Sequence, residues 1–146
     1  MIHEFNKITI VRLRKPSSKD VNQDLQWLSS SLGLFTERDK EKSCFRIFVE
    51  LIKAARRGQH LTSDQIASRT NLTRATIIHH IAKLTESGLV IHSEGKYLLR
   101  VDNLEMLVEE VKRDVLRAFE DLKEIAEELD DQLGLIKRQK TKVLSD

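Results

Sequence analysis

Few side chains in this sequence have the type and spacing of a catalytic or metal-binding site. The 146 residues include five His and one Cys, too few thiols for a disulfide within the chain or a Cys-rich zinc site. His79 and His80 are adjacent, and neighbouring helical residues point in different directions, so their imidazoles cannot chelate one ion together. Cys44 precedes Phe45 in an apolar stretch, which indicates a buried packing residue rather than a redox switch. Glycine-rich phosphate loops and the HExxH zinc motif are absent, so we expect no enzymatic activity, no metal and no cofactor.

Residues 73–83, by contrast, carry side chains whose chemistry suits the edges of DNA bases. If Ile77 and Ile81 face a core, the residues that face outward are Arg74, Ala75, Ile78 and His79. A guanidinium fork can bind guanine through two hydrogen bonds, and small or apolar side chains can contact thymine methyl groups. An outward Ile is also unusual on a helix face that only meets water.

Other side chains in this region offer a simple hydroxyl or charge, which suits a phosphate group. Phosphate contacts position a protein on DNA and do not read sequence. The candidates are Thr73, Thr76 and Lys83, with Lys96 and Arg100 in the segment that follows. Tyr97 lies between the last two and is expected to pack rather than stack on bases.

The elements that must position these residues form a recognisable series. A short helix is predicted from Thr62 to about Arg69, and residues 70–72 make a turn. Thr73 caps a second helix that extends through residue 87, and two β-rich runs around Glu94-Gly95 predict a hairpin. Two helices, a short turn and a hairpin are the pattern of a winged helix-turn-helix.

The run TSDQIASRTNLTRATIIHHIAKLTESGLV resembles the ArsR-like winged-helix transcription regulators at the level of the superfamily. It differs at Asn71, where many members have Gly, although Asn tolerates the left-handed backbone that such a turn requires. It also differs at Ile78, where a small polar residue is frequent. The resemblance implies double-stranded DNA as partner, with residues 73–87 as the recognition helix in the major groove.

The C-terminal part of the chain predicts a long helix over residues 102–133. Eight apolar residues follow one another at alternating spacings of four and three, which is the repeat of a coiled coil. They are Leu104, Val108, Val111, Val115, Ala118, Leu122, Ile125 and Leu129. A second apolar row of Leu107, Leu116, Phe119, Ala126 and Leu133 can pack on the body of the same chain. We therefore expect a homodimer, an architecture that also resembles archaeal winged-helix chromatin proteins with a terminal coiled coil.

The N-terminal third is less distinctive. Residues 7–14 alternate apolar and polar side chains and predict a short strand. A helix is expected from Asp20 to Leu32, stopped by Gly33, and another from Thr36, where Asp39 completes a capping-box-like pair.

Charge and composition indicate four segments. The net charge is +2, but residues 102–133 hold twelve acidic and four basic side chains, which leaves the rest of the chain basic. We predict an N-terminal strand or arm (1–16), a winged helix-turn-helix domain (17–101), a dimerisation helix (102–133) and a basic flexible tail (134–146). No run is apolar and long enough for a membrane helix and no secretory signal is evident, so a cytoplasmic, nucleoid-associated protein is expected.

The sequence thus predicts a mainly α-helical chain with a small β hairpin that acts as a sequence-specific DNA-binding transcriptional regulator. The alternative is a winged-helix architectural, chromatin-like protein or a protein-interaction module without sequence-specific DNA binding. No small-molecule effector site is evident from the residues.

Overall fold

The computed structural model describes residues 6–137, which form five α-helices and a two-stranded antiparallel β-sheet. The elements in chain order are α1 (Val21–Ser31), α2 (Ser43–Arg56), α3 (Ser63–Thr70), α4 (Arg74–Glu86), β1 (Val90–Ser93), β2 (Lys96–Leu99) and α5 (Leu104–Leu133). The fold is the one predicted: a winged helix-turn-helix followed by a long C-terminal helix. Residues 1–5 of the predicted arm and 138–146 of the predicted tail lie outside the described residues. Within 6–137, no helix has both the length and the apolar character needed to cross a membrane.

The helix-turn-helix body is built around a core to which α2, α3 and α4 all contribute. These helices contact one another, and α2 and α4 also contact the sheet. The predicted stripe of Ile77, Ile81 and Leu84 is buried, because spacings of three and four place these side chains on one helix face. Other buried core residues include Ile47, Phe48 and Leu51 of α2, Ile66 of α3, and Leu61, Leu89, Val90 and Leu99.

Side-chain caps fix the N-terminal ends of both α3 and α4. The Gln65 N–H donates to the Thr62 hydroxyl and the Thr62 N–H donates to the Gln65 side chain, which completes a capping box. α3 ends at Asn71, whose φ of 61° is the left-handed conformation expected for this position. Thr73 then caps α4 by accepting a hydrogen bond from the Thr76 N–H. The turn is therefore specified by residues close together in sequence.

The wing is the predicted hairpin, in which Val90 pairs with Leu99 and Ser93 with Lys96. Glu94 and Gly95 at its tip have positive φ angles of 53° and 77°, which is the geometry that a tight two-residue hairpin turn requires. The link between α2 and α3 joins this sheet through an isolated antiparallel bridge between Leu61 and Tyr97.

α5 contains 30 residues and begins after Asn103, whose side chain accepts a hydrogen bond from the Met106 N–H at 2.8 Å. The chain divides into two compact units between Val111 and Lys112, so α5 starts in the first unit and continues in the second. Within the first unit, Leu107 and Val111 are buried, whereas Val108 is 43% exposed. The exposed large apolar residues farther along α5 are Leu116, Phe119, Leu122, Ile125, Leu129 and Leu133.

The strand predicted over residues 7–14 is wrong. The segment forms no β-strand, because the backbone hydrogen bonds it makes go to the ends of helices and not to another extended chain. The Lys7 N–H donates to the Glu86 carbonyl at 2.9 Å, and the Val11 N–H donates to the Ser31 carbonyl at 2.8 Å. The alternating apolar residues therefore lie in an extended, mostly exposed segment whose backbone bonds to the ends of α1 and α4 and has no strand neighbour.

Gly33 ends α1 as predicted, with a φ of 79°. It also permits close packing of the N-terminal segment, since a Cβ atom at this position would lie 2.6 Å from Thr9 Cγ2. The glycine therefore meets both a conformational and a steric requirement.

The predicted start of the next helix at Thr36 is also wrong. Turns occupy the residues before α2, which begins at Ser43. Asp39 does not cap at Thr36; its two carboxylate oxygens accept hydrogen bonds from the N–H groups of Ser43 and Cys44 at 2.9 and 3.0 Å. The cap is therefore a carboxylate from the preceding turn, which a local four-residue pattern does not reveal.

Candidate nucleic-acid interface

The first two turns of α4 present a surface that residues 6–137 leave uncovered. Arg74, Ala75 and Ile78 are exposed, and Ile78 keeps 45% of its accessible surface. Their outward position follows from the burial of Ile77 and Ile81 on the opposite face of the helix. The Arg74 guanidinium has no hydrogen bond or ion pair within the described residues. An unpaired planar donor beside an exposed aliphatic side chain is suited to guanine and thymine edges.

The two threonines at the start of α4 have different capacities for a phosphate. Thr73 uses its oxygen as the helix cap and donates its hydroxyl proton to the Thr76 hydroxyl at 2.9 Å. The Thr76 hydroxyl accepts this bond and keeps its own proton, which it can donate outward. Thr76 is therefore the better phosphate donor, whereas Thr73 mainly holds the helix end.

The later turns of α4 border a groove formed with the N-terminal segment. His79, Ala82, Lys83, Glu86 and Ser87 line a groove of about 640 Å³ together with residues 7, 9, 11 and 32–36. His79 is exposed, but Lys83 is half-buried. The structure thus places Lys83 beside its own chain and not on the open surface formed by the first turns.

Asp39 and His80 form a largely buried polar pair that the sequence does not predict. His80 Nε2 lies 4.0 Å from Asp39 Oδ2, and the two side chains are only 12% and 10% exposed. His80 Nδ1 is buried and has no partner in the described part of the chain. The capping-box-like pattern predicted for Asp39 gave no indication of a partner some forty residues away.

Burial determines the protonation of this pair. It lowers the pKa of His80 more strongly than the Asp39 carboxylate raises it. Burial also raises the pKa of Asp39, but the hydrogen bonds from Cys44 and Ser43, together with His80, bring that pKa below its usual value. Near neutral pH, Asp39 is therefore a carboxylate and His80 is neutral.

Two basic residues in and next to the wing are predicted to bind DNA; one is exposed, and the other bonds to groups of its own chain. Lys96 is exposed at the start of β2. Arg100, in contrast, donates to the Gly88 carbonyl at 3.3 Å and lies 3.2 Å from the Glu110 carboxylate. The predicted phosphate contact by Arg100 therefore competes with bonds that its guanidinium makes inside the chain. The Tyr97 ring packs against His92, with ring centroids 4.4 Å apart.

The described residues contain no group of three or more His, Cys, Asp or Glu side chains placed to hold a metal ion. Cys44 is buried, and burial raises the pKa of its thiol to about 11. A thiol with this pKa holds its proton at neutral pH and reacts poorly.

A family model described as an HTH domain matches residues 48–97, which extend from α2 into β2. No curated protein and no solved structure matches the chain. The family match supports a helix-turn-helix DNA-binding domain over this span.

Proposed function

We propose that this chain is a sequence-specific DNA-binding transcriptional regulator whose recognition helix, within residues 73–87, enters the major groove. The observation that carries the proposal is the exposed, unpaired Arg74 beside Ala75 and Ile78 on the first turns of α4. The HTH-domain match over residues 48–97 supports DNA binding by the same part of the chain, and domains of this type are typically non-enzymatic.

Each exposed group has a role that follows from its chemistry. Arg74 binds guanine, Ala75 and Ile78 contact thymine methyl groups, and His79 approaches a base edge. Thr76 and Lys96 bind phosphates, with Lys83 at the margin of this surface and Thr73 acting as the cap. The resemblance to ArsR-like regulators, including Asn71 in the turn, supports the same assignment.

We further propose that two copies pair through α5, as in archaeal-type winged-helix proteins with a terminal coiled coil. Of the predicted seam, Val108, Leu122, Ile125 and Leu129 are each more than 40% exposed in the single chain. A second copy is the occupant that a 3.5-residue repeat indicates, because the same repeat on both helices interlocks along a common seam. Val111 is buried in its own chain, so it has little surface to offer a partner. Residues 17–101 then form the DNA-binding domain and residues 102–133 the dimerisation helix.

The test begins by selecting preferred sequences from a pool of random duplexes and then titrates selected and random duplexes. Arg74→Ala should cost about 1–3 kcal/mol on the selected site and flatten the preference between duplexes. Lys123→Gln is the matched control, because it also removes one positive charge but lies on α5 outside the seam. Its affinity and preference should equal those of the parent chain.

The alternative function predicts a different result. An architectural protein would cover duplexes uniformly in a footprint, and a protein-interaction module would bind none. Either outcome, or an Arg74→Ala variant with the parent's sequence preference, would contradict sequence-specific recognition by α4.

A further inference from the structure

A groove without acidic side chains lies between the α2–α3 link and the wing. It has a volume of about 360 Å³, and Gln59, His60, Gln65, Arg69 and Lys96 provide its polar side chains. The remaining lining residues are Gly58 and Leu61, so no carboxylate faces the groove. This composition differs from the mixed charges that cover most of the chain.

Backbone pairing holds the two sides of this groove together. The Leu61 N–H donates to the Tyr97 carbonyl at 3.0 Å, and the Tyr97 N–H donates to the Leu61 carbonyl at 2.7 Å. Side chains alternate between faces along extended backbone, so His60 and Lys96, each next to a bridged residue, lie on the same face. This backbone pairing therefore holds the α2–α3 link and β2 in fixed positions on the two sides of the groove.

The donors in the groove are available for a ligand. The Arg69 and Lys96 side chains make no ion pair or hydrogen bond within residues 6–137. The Gln65 oxygen accepts the Thr62 N–H, which leaves its amide nitrogen to donate. The Gln65 backbone N–H already donates to the Thr62 hydroxyl, so this group at the start of α3 is not available to a ligand. Side chains therefore supply most of the donors in the groove.

We infer that this groove binds a phosphate group of the DNA backbone. Two unpaired positive charges with imidazole and amide donors suit a compact oxyanion, and the absence of carboxylates removes the repulsion that a phosphate would otherwise meet. Arg69 and Lys96 neutralise the phosphate, while His60 and Gln65 orient it. The inference rests on the proposed function, since the DNA held by α4 supplies this phosphate, although free inorganic phosphate has the same chemistry.

The first experiment measures DNA affinity across several salt concentrations for Arg69→Gln, Lys96→Gln and the double variant. Both side chains are exposed, so neither change should disturb the core. Each should weaken binding about three- to tenfold on selected and random duplexes alike, and should reduce the salt slope by about one unit. Lys123→Gln should leave both quantities unchanged. Variants that bind with the parent's affinity and salt slope would overturn the inference, even if Arg74→Ala behaves as proposed.

The second experiment separates the groove from the proposed function. Inorganic phosphate is titrated against the full chain while the His60 ring signals are followed by NMR, with chloride at equal ionic strength as the reference. If the parent binds no DNA but its His60 signals shift saturably with phosphate, and Arg69→Gln removes this shift, the groove is a site for free phosphate. That result would overturn the inference that the phosphate comes from the DNA backbone. If the parent binds DNA, a saturable shift that a competing duplex suppresses supports a backbone phosphate. If neither the duplex nor phosphate changes the His60 signals, the groove is excluded as a binding site.

Discussion

At the scale of single residues, burial separates side chains that are equivalent in the sequence. His79 is exposed on the face proposed to meet DNA, whereas its neighbour His80 is largely buried beside Asp39. Arg74 is unpaired in the described structure, whereas Arg100 is held by Gly88 and Glu110. Each pair shares its side-chain chemistry, so only the fold decides which member is available to a ligand.

The buried state of His80 predicts a pH-dependent stability. Because burial lowers its pKa below 6.5, the folded chain favours the neutral imidazole, and the unfolded chain binds the proton more readily. This contribution is complete above about pH 6.5 and is lost as the pH falls toward the folded-state pKa. The free energy of unfolding, measured with urea between pH 7.5 and 5.5, should therefore decrease, and His80→Phe should reduce that decrease.

His92→Phe is the matched control, because His92 is exposed and a phenyl ring can still pack on Tyr97. It should keep the parent's pH dependence. Identical pH profiles for the parent and His80→Phe would show that His80 does not control stability in this range.

The buried thiol predicts slow chemistry at Cys44. With a pKa of about 11 and little access to solvent, it should react with a disulfide reagent at pH 7 on the order of 100-fold more slowly than in urea-unfolded chain. The reaction is followed by absorbance under both conditions. A native rate close to the unfolded rate would reopen a redox role for this residue.

At the scale of elements, the sequence predicted what neighbouring residues determine. The helix start at Thr62, the turn at Asn71 and the stripe from Ile77 to Leu84 all lie within a few residues of the contacts that define them. The start of α2 is set by a carboxylate in an irregular turn before the helix, and the state of residues 7–14 depends on partners farther along the chain, so both predictions were wrong. Asp39 acts as a cap from the preceding turns, and the N-terminal segment bonds to helix ends that no alternating pattern specifies.

The same limit applies to the candidate interface. The outward residues of α4 followed from helical periodicity, because the buried stripe fixes the opposite face. The engagement of Arg100 and the basic groove at Arg69 were not predictable, since both depend on residues brought together by the hairpin and its bridge.

The packing of the N-terminal segment can be tested with two glycines that share a backbone conformation. Gly33 and Gly58 both have positive φ, so Ala at either position should cost about 1–2 kcal/mol of backbone strain. Only Gly33 has a close neighbour, Thr9, whereas nothing lies within 4 Å of a Cβ at Gly58. Gly33→Ala should therefore destabilise by about 1–3 kcal/mol more than Gly58→Ala in urea unfolding.

Thr9→Gly added to Gly33→Ala should recover part of this difference, because the nearest atoms are the Thr9 Cγ2 and Cβ. Equal destabilisation by the two alanine variants would mean that the segment does not pack on the end of α1.

At the scale of the whole molecule, apolar surface and charge are distributed unevenly along the chain. The first unit buries an apolar core around α2, α3 and α4, whereas the large apolar residues of α5 beyond residue 112, from Leu116 to Leu133, are exposed. Residues 102–133 also carry most of the acidic excess, which disfavours contact with DNA. Both properties fit a segment that meets another copy of itself.

The proposed dimer predicts a specific response to one added charge. Leu122→Asp should weaken association by at least about 3 kcal/mol, because it would bury two unpaired carboxylates at the seam. Leu122 is 63% exposed in the single chain, so the change removes little of that chain's own packing. Sedimentation equilibrium at micromolar concentration should give twice 16.9 kDa for the parent and 16.9 kDa for the variant.

Glu124→Gln, two positions farther along α5 and outside the seam, should sediment like the parent. A parent chain that sediments at 16.9 kDa at this concentration would rule out the dimer.

The Arg100 guanidinium, which bonds to the Gly88 carbonyl and lies 3.2 Å from Glu110, also constrains how an operator can be spaced. Gly88 follows the C-terminal cap of α4, and Glu110 lies in the early turns of α5. A tilt of α4 would therefore strain the contacts that Arg100 makes with Gly88 and Glu110. In the proposed dimer, α4 of each copy would then keep a fixed orientation relative to the first turns of its own α5. Inserting about 5 base pairs between half-sites would turn one of them to the far side of the duplex and abolish paired binding, whereas about 10 base pairs would restore the helical phase.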